Sequence, residues 1–283
     1  MNLKPFLVAI VATLTLCVPS HAAQLSYVVV PSDSMHKEIP VAVLLPAGYS
    51  THHKTRCPVI YFLDGYSGDG QRILTGICKD TAPQQADEFN VILVAVGSGN
   101  SWYFDSPINT SSRWQTFLTK ELIPYIDSHY KTIHTREGRA ITGLSMGGHG
   151  AFYTAFRHPD LFLAAGATSG GVDIRPFPKN WDIAKQLGTL EEHPGNWETN
   201  TVINNLDGLP NARMSLIFDC GQSDFFLNVN RSLDKRLTDM GVKHTYTEYP
   251  GGHNQEYWSK SFPLQVEFFA LAFKSASGPA SPH

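Results

Sequence analysis

The chain has 283 residues, 42% hydrophobic and 17% charged, so it can bury a large core and is neither a disordered tail nor a coiled coil. Lys and Arg number 22 against 25 Asp and Glu, a net charge of -3, which leaves no basic excess to hold a nucleic-acid backbone. Four cysteines are too few for a chain of this length to depend on a disulfide framework.

Lys4 precedes an apolar run from Phe6 to Val18, followed by Pro19 and by small residues at Ser20 and Ala22. That order predicts a secretory signal over residues 1–22, cleaved after Ala22, and hence a secreted or periplasmic protein. The run is shorter than the ~20 residues a bilayer span requires, so no stable membrane insertion is expected. Leu16 stands before Cys17, where a lipoprotein signal wants a small residue. Of the remaining cysteines Cys57, Cys78 and Cys220, at most two can pair, with Cys57–Cys78 the first pair to test.

Tyr27–Val30 and Ile39–Leu45 are β-rich runs that predict an opening hairpin. Pro58–Leu63 and Asn90–Val96 are short continuous apolar runs, as expected of strands buried on both faces. Ser112–Tyr130 carries apolar residues at helical spacing, with Pro124 as a candidate kink. A strand at Arg139–Thr142 leads into a helix at Ser145–Arg157. Strands follow at Phe162–Ala167 and Ser215–Phe218, a helix at Leu227–Met240, a strand at Thr245–Tyr249 and a closing helix at Gln255–Lys274. This alternation predicts an α/β fold, a mostly parallel sheet with helices on both faces, as one domain over residues 23–274. Residues 172–210 interrupt the rhythm with prolines and little regular pattern, which predicts an irregular lid or pocket wall. Its Trp181 and Trp197 are candidate substrate-binding residues, as is Trp102 of the Trp102-Tyr103-Phe104 cluster, for which plain packing is the competing role. Ser275–His283 is small and polar and is expected to be a disordered tail.

Between the strand at 139–142 and its helix stands Gly143-Leu144-Ser145-Met146-Gly147, a G-x-S-x-G. In that context the chain must turn sharply, exposing the serine above the sheet at a helix N-terminus. Elsewhere the same serine would simply cap a helix. A serine hydroxyl needs a base, and the base a carboxylate. In this kind of fold they follow in the order Ser, Asp or Glu, His. Two acids compete after the strand at 215–218. Asp219 sits at the strand end, where it could satisfy local backbone; Asp224 lies deeper in the loop, where capping the next helix is its alternative role. His253, in a Gly-Gly-His turn after the last strand, is the candidate base. His52, His53, His129 and His134 lie in polar segments, His149 and His158 belong to the helix after the serine, and His193 and His244 have no matching context. An oxyanion would be held by the backbone amide of Met146 and by one from the glycine-rich loop at 63–70, for which Tyr66 is the candidate. Metal ligation finds no H-E-x-x-H or C-x-x-C, Walker A is absent, and Gly97-Ser98-Gly99 lacks the third glycine of a dinucleotide loop. No metal or cofactor is expected.

The run Gly143-Leu144-Ser145-Met146-Gly147-Gly148, with Leu63-Asp64-Gly65, Gly251-Gly252-His253 and FLTKELIPYIDSHY at 117–130, resembles the esterase D family of α/β-hydrolases. The resemblance spans roughly residues 38–273. The family includes S-formylglutathione hydrolases, feruloyl and acetyl-xylan esterases and mycolyltransferases. The resemblance implies Ser145 as nucleophile, Asp224 as acid, His253 as base and the amides of Met146 and Tyr66 as oxyanion donors. The segment 172–210 matches no family motif. The expectation is therefore a secreted serine carboxylesterase acting on small-molecule or glycan esters, with acetyl or feruloyl groups on carbohydrates foremost. Alternatives are an acyltransferase passing the acyl group to a sugar or lipid hydroxyl, a thioesterase like S-formylglutathione hydrolase, and a non-enzymatic binding protein on the same fold.

Overall fold

The computed structural model describes residues 22–49 and 55–278. The expected signal up to His21, with Cys17, and His52, His53 and the last five residues of the expected tail lie outside the described residues.

Among the described residues, eight strands form one sheet in the order β1-β2-β4-β3-β5-β6-β7-β8. They are β1 (Gln24–Ser32), β2 (Lys37–Leu45), β3 (Val59–Leu63), β4 (Ile92–Val96), β5 (Arg139–Gly143), β6 (Ala164–Thr168), β7 (Ser215–Gly221) and β8 (Thr245–Tyr249). The β1–β2 hairpin is antiparallel and joins β4 antiparallel; all other pairings are parallel. The continuous apolar runs have the expected cause. Val59, Tyr61 and Leu63 face one core while Ile60 and Phe62 face the other, and β4 divides in the same way. The first core lies under the helical run 114–129 and the helices Met146–Arg157 and Leu227–Asp239, the second under Ala82–Phe89 and Gln255–Ala276.

Several expectations are corrected. The helical run 114–129 is widened to π-helical turns over Phe117–Leu122, ending two residues before Pro124, the candidate kink. β7 runs three residues beyond the expected end and takes Asp219 into the strand. The closing helix continues through Ala276, so its last two residues occupy the start of the expected tail. The segment 172–210 is not structureless: it holds short helices at Ile183–Leu187 and Pro194–Asn200, and a third, Leu209–Ala212, begins at its end. No disulfide joins Cys57, Cys78 and Cys220; all three are buried free thiols. Cys57 and Cys220 belong to the first core and Cys78 to the second, so the sheet itself separates the pair expected first. Burial pushes the Cys78 thiol up to about 12.

The chain passes from β3 out to β4 and back across to β5, so β3 and β5 are neighbours at a topological switch point. The crevice beyond their carboxyl ends is where open α/β sheets build sites.

Candidate active site

Leu63 of β3 pairs with Gly143 of β5, and the chain leaves β5 directly into the turn carrying Ser145. Ser145 has φ 56° and ψ -119°, a conformation an L-residue adopts only when its surroundings impose it. Its amide donates to the Thr168 carbonyl at 3.0 Å, and its own carbonyl accepts from the amides of His149 at 3.1 Å and Gly171 at 3.2 Å. The turn is closed against β3: a Cβ on Gly147 would lie 2.0 Å from the Leu63 carbonyl oxygen, so only glycine fits. The helix that follows, Met146–Arg157, is buried along almost its whole length between sheet and outer layer.

Three side chains expected from the sequence meet above this turn. His253 Nε2 lies 2.9 Å from Ser145 Oγ, and His253 Nδ1 lies 2.9 Å from Asp224 Oδ2. Because a carboxylate only accepts, Nδ1 carries the proton and Nε2 is free to accept from the serine hydroxyl. Asp224 also does the backbone work its position suggested, through its other oxygen: Oδ1 accepts from the Phe226 amide at 2.8 Å. The two oxygens of a fully buried carboxylate side chain are thus divided between helix entry and imidazole. Asp219 is engaged elsewhere. It accepts from Thr168 Oγ1 at 2.8 Å, Ser261 Oγ at 2.6 Å and Gln265 Nε2 at 2.8 Å, tying β6 and the closing helix to β7. Burial nevertheless raises its pKa against the opposing pull of these donors. His149, one turn after Ser145, is buried and held neutral: desolvation lowers its pKa to about 3.

The amides of Met146 and Tyr66 donate to no protein acceptor among the described residues, as required of groups available to an oxyanion. Tyr66 is anchored at its far end, where its phenol donates to Asp182 Oδ2 at 2.8 Å and accepts from Asn100 Nδ2 at 3.1 Å. Asp182 belongs to the 172–210 segment, which is thereby fastened to the loop after β3.

The expected substrate-binding tryptophans separate. Trp197 is 0% exposed and donates its indole N–H to the Gly188 carbonyl at 2.9 Å, so it is a core residue. Trp102 is 1% exposed; with Tyr103 and Phe104 it packs under the site, and its N–H goes to the Trp181 carbonyl at 2.9 Å. Both expectations are corrected by burial. Only Trp181 borders the site. Its ring stacks on Phe225 at 5.3 Å, and Phe225 in turn lies 4.2 Å from the His253 ring with half its surface exposed. Phe225 is a residue the sequence reading missed; its one sequence signal is its place immediately after Asp224. Among the described residues, no group of three or more His, Cys, Asp or Glu is placed to hold a metal ion.

A mostly parallel sheet with a serine on a strained strand-to-helix turn, bonded through histidine to an aspartate on later loops, is the architecture of the α/β-hydrolases. Residues 32–269 match the family model named Esterase, and the chain belongs to that family. Esterase Rv1288 of Mycobacterium tuberculosis is 28% identical over 244 residues, 75% of this chain and 52% of that protein. The chain thus spans about half the length of that relative. The acetyl esterase of Caldicellulosiruptor saccharolyticus is 26% identical over 223 residues, covering 75% of this chain and 82% of that one. Among solved structures, a ferulic acid esterase superposes with a TM-score of 0.76 at 25% identity, over 89% of this chain and 99% of that one.

Proposed function

We propose that the protein is a serine carboxylesterase, with Ser145 as nucleophile, His253 as base and Asp224 as the orienting acid. The observation that carries this reading is the continuous hydrogen-bonded line from Ser145 Oγ through both ring nitrogens of His253 to Asp224 Oδ2. In the first half-reaction the Ser145 oxygen attacks the ester carbonyl carbon while its proton passes to His253 Nε2. The carbonyl electron pair moves onto oxygen, which the Met146 and Tyr66 amides receive. Asp224 holds the ring in orientation and stabilises the imidazolium. As the carbonyl re-forms, the ester C–O bond breaks and the leaving alcohol takes the proton from Nε2. Water then gives a proton to His253 and attacks the acyl-enzyme. Collapse releases the carboxylic acid and returns the proton to Ser145.

The substrates proposed are acetyl or feruloyl esters of carbohydrates, met outside the cytoplasm. Similarity to an acetyl esterase and to a ferulic acid esterase supports this choice of acyl groups. So does the aromatic surface of Phe225 and Trp181 beside His253, on which a planar acyl group can lie. The export pattern of residues 1–22 supports the location. A panel of acetylated xylan, methyl ferulate, p-nitrophenyl butyrate and S-formylglutathione tests it. Turnover of the first two should exceed that of the formyl thioester, and the opposite ranking would refute the substrate assignment.

A further inference from the structure

The loop after β3 is built around a buried charge. The Asp64 side chain is fully buried, and a carboxylate there is tolerated only with a full set of donors. Oδ1 accepts from the Gly65 amide at 2.7 Å and from Arg72 Nη2 at 2.8 Å. Oδ2 accepts from the Gly70 amide at 3.1 Å, and Arg72 Nε lies 2.9 Å from both oxygens. The loop closes on the anion with no room to spare: a Cβ on Gly68 would lie 2.2 Å from Asp64 Cγ. Tyr66 stands within this ring of donors, between Gly65 and Gly70. A Cβ on Gly65 would lie 3.4 Å from Ser145 Cβ and 3.5 Å from Arg72 Nη2, so nucleophile and guanidinium flank the same glycine.

We propose that the Asp64–Arg72 ion pair is the positioning element of the oxyanion loop, setting the Tyr66 amide where the tetrahedral intermediate needs it. The inference rests on the assignment of Ser145 and the Tyr66 amide made above. Neither Asp64 nor Arg72 bonds to substrate in this account. They act through the loop backbone, because a donor displaced by about 1 Å no longer reaches the oxyanion. Arg72 supplies the positive charge in the set. Its side chain is 46% exposed, so replacing it leaves no core cavity, while the part-stranded Asp64 charge is expected to lower Tm.

The test is made on the full chain with Arg72→Met, Arg72→Lys and Asp64→Asn, using p-nitrophenyl acetate and active sites counted by fluorophosphonate titration. A trifluoromethyl ketone is the second probe, because its adduct with the serine places an oxyanion in the hole. Losing one oxyanion donor costs about 10²–10³ in kcat. Asp64→Asn is expected to approach the lower figure and Arg72→Met to lose about tenfold, each with KM within about twofold. Inhibitor affinity should fall in the same proportion as kcat/KM. Arg72→Lys, which keeps the charge, should retain more activity than Arg72→Met. If Asp64→Asn does not fold, Arg72→Met carries the test. Full kcat per titrated site in Arg72→Met, with only a lowered Tm, would overturn the positioning role. Ser145→Ala is run alongside. If it stays active, the nucleophile assignment fails and the loop's role with it; if it is dead while Arg72→Met is fully active, the ion-pair proposal alone fails.

Discussion

His149 gives the fold an acid-side weakness that can be measured apart from catalysis. Its ring is enclosed by Trp102, Phe104 and Tyr153, and Nε2 donates to the Asn200 carbonyl at 3.0 Å. No partner reaches Nδ1 among the described residues, and desolvation lowers the pKa from 6.5 to about 3, with Arg157 and Asp173 acting in opposite senses. The folded value lies below the unfolded one, so between those limits the unfolded chain binds the extra proton. Stability from this residue is therefore retained above pH 6.5 and lost as the pH falls. At pH 5 the unfolded ring is almost fully protonated and the folded ring is not, a difference of about 2 kcal/mol. His149→Gln can keep a donor to Asn200 but cannot titrate. It should be less stable than the parent at pH 7.5 by about 1–3 kcal/mol for lost ring contacts. That gap should narrow by about 2 kcal/mol at pH 5. Urea unfolding followed by tryptophan fluorescence at both pH values measures it. A gap that stays constant would refute a neutral, buried His149.

The two competing acids should respond oppositely. Asp224→Asn is expected to lower kcat by about 10⁴ with little change in Tm. Asp219→Ala is expected to cost about 3 kcal/mol, because it strands the donors of Thr168, Ser261 and Gln265, while the folded fraction keeps its turnover. Kinetics on p-nitrophenyl acetate and urea titrations decide between them, and the reverse pattern would exchange their roles. The tryptophan corrections can be tested in the same way. Trp197→Ala should lose about 3–5 kcal/mol with KM unchanged, whereas Phe225→Ala should raise KM for methyl ferulate several-fold, more than for an acetyl ester, with Tm nearly constant.

The central strands were legible because a strand buried on both faces is apolar at every position, as Val59–Leu63 and Ile92–Val96 are. The turn carrying Ser145 was legible because Gly143 and Gly147 are dictated by backbone contact with β3. The helix Ala82–Phe89 was not foreseen, because only Ala82 and Ala86 are buried and two alanines make no visible apolar stripe. The insertion helices, four to seven residues long, are too short to show a period. Asp64 and Arg72 carry no pattern in sequence: they meet only because the loop folds back on itself. Which tryptophan is core and which borders the site is likewise decided by tertiary packing, and so is the separation of Cys57 from Cys78 by the sheet.

The acylated residue identifies the nucleophile directly. Acid quenching within the first turnover on p-nitrophenyl acetate, followed by peptide mass spectrometry, should find an acetyl group on Ser145. Ser145→Ala should show neither adduct nor burst. Acetyl found on another residue, or undiminished hydrolysis by Ser145→Ala, would contradict the mechanism.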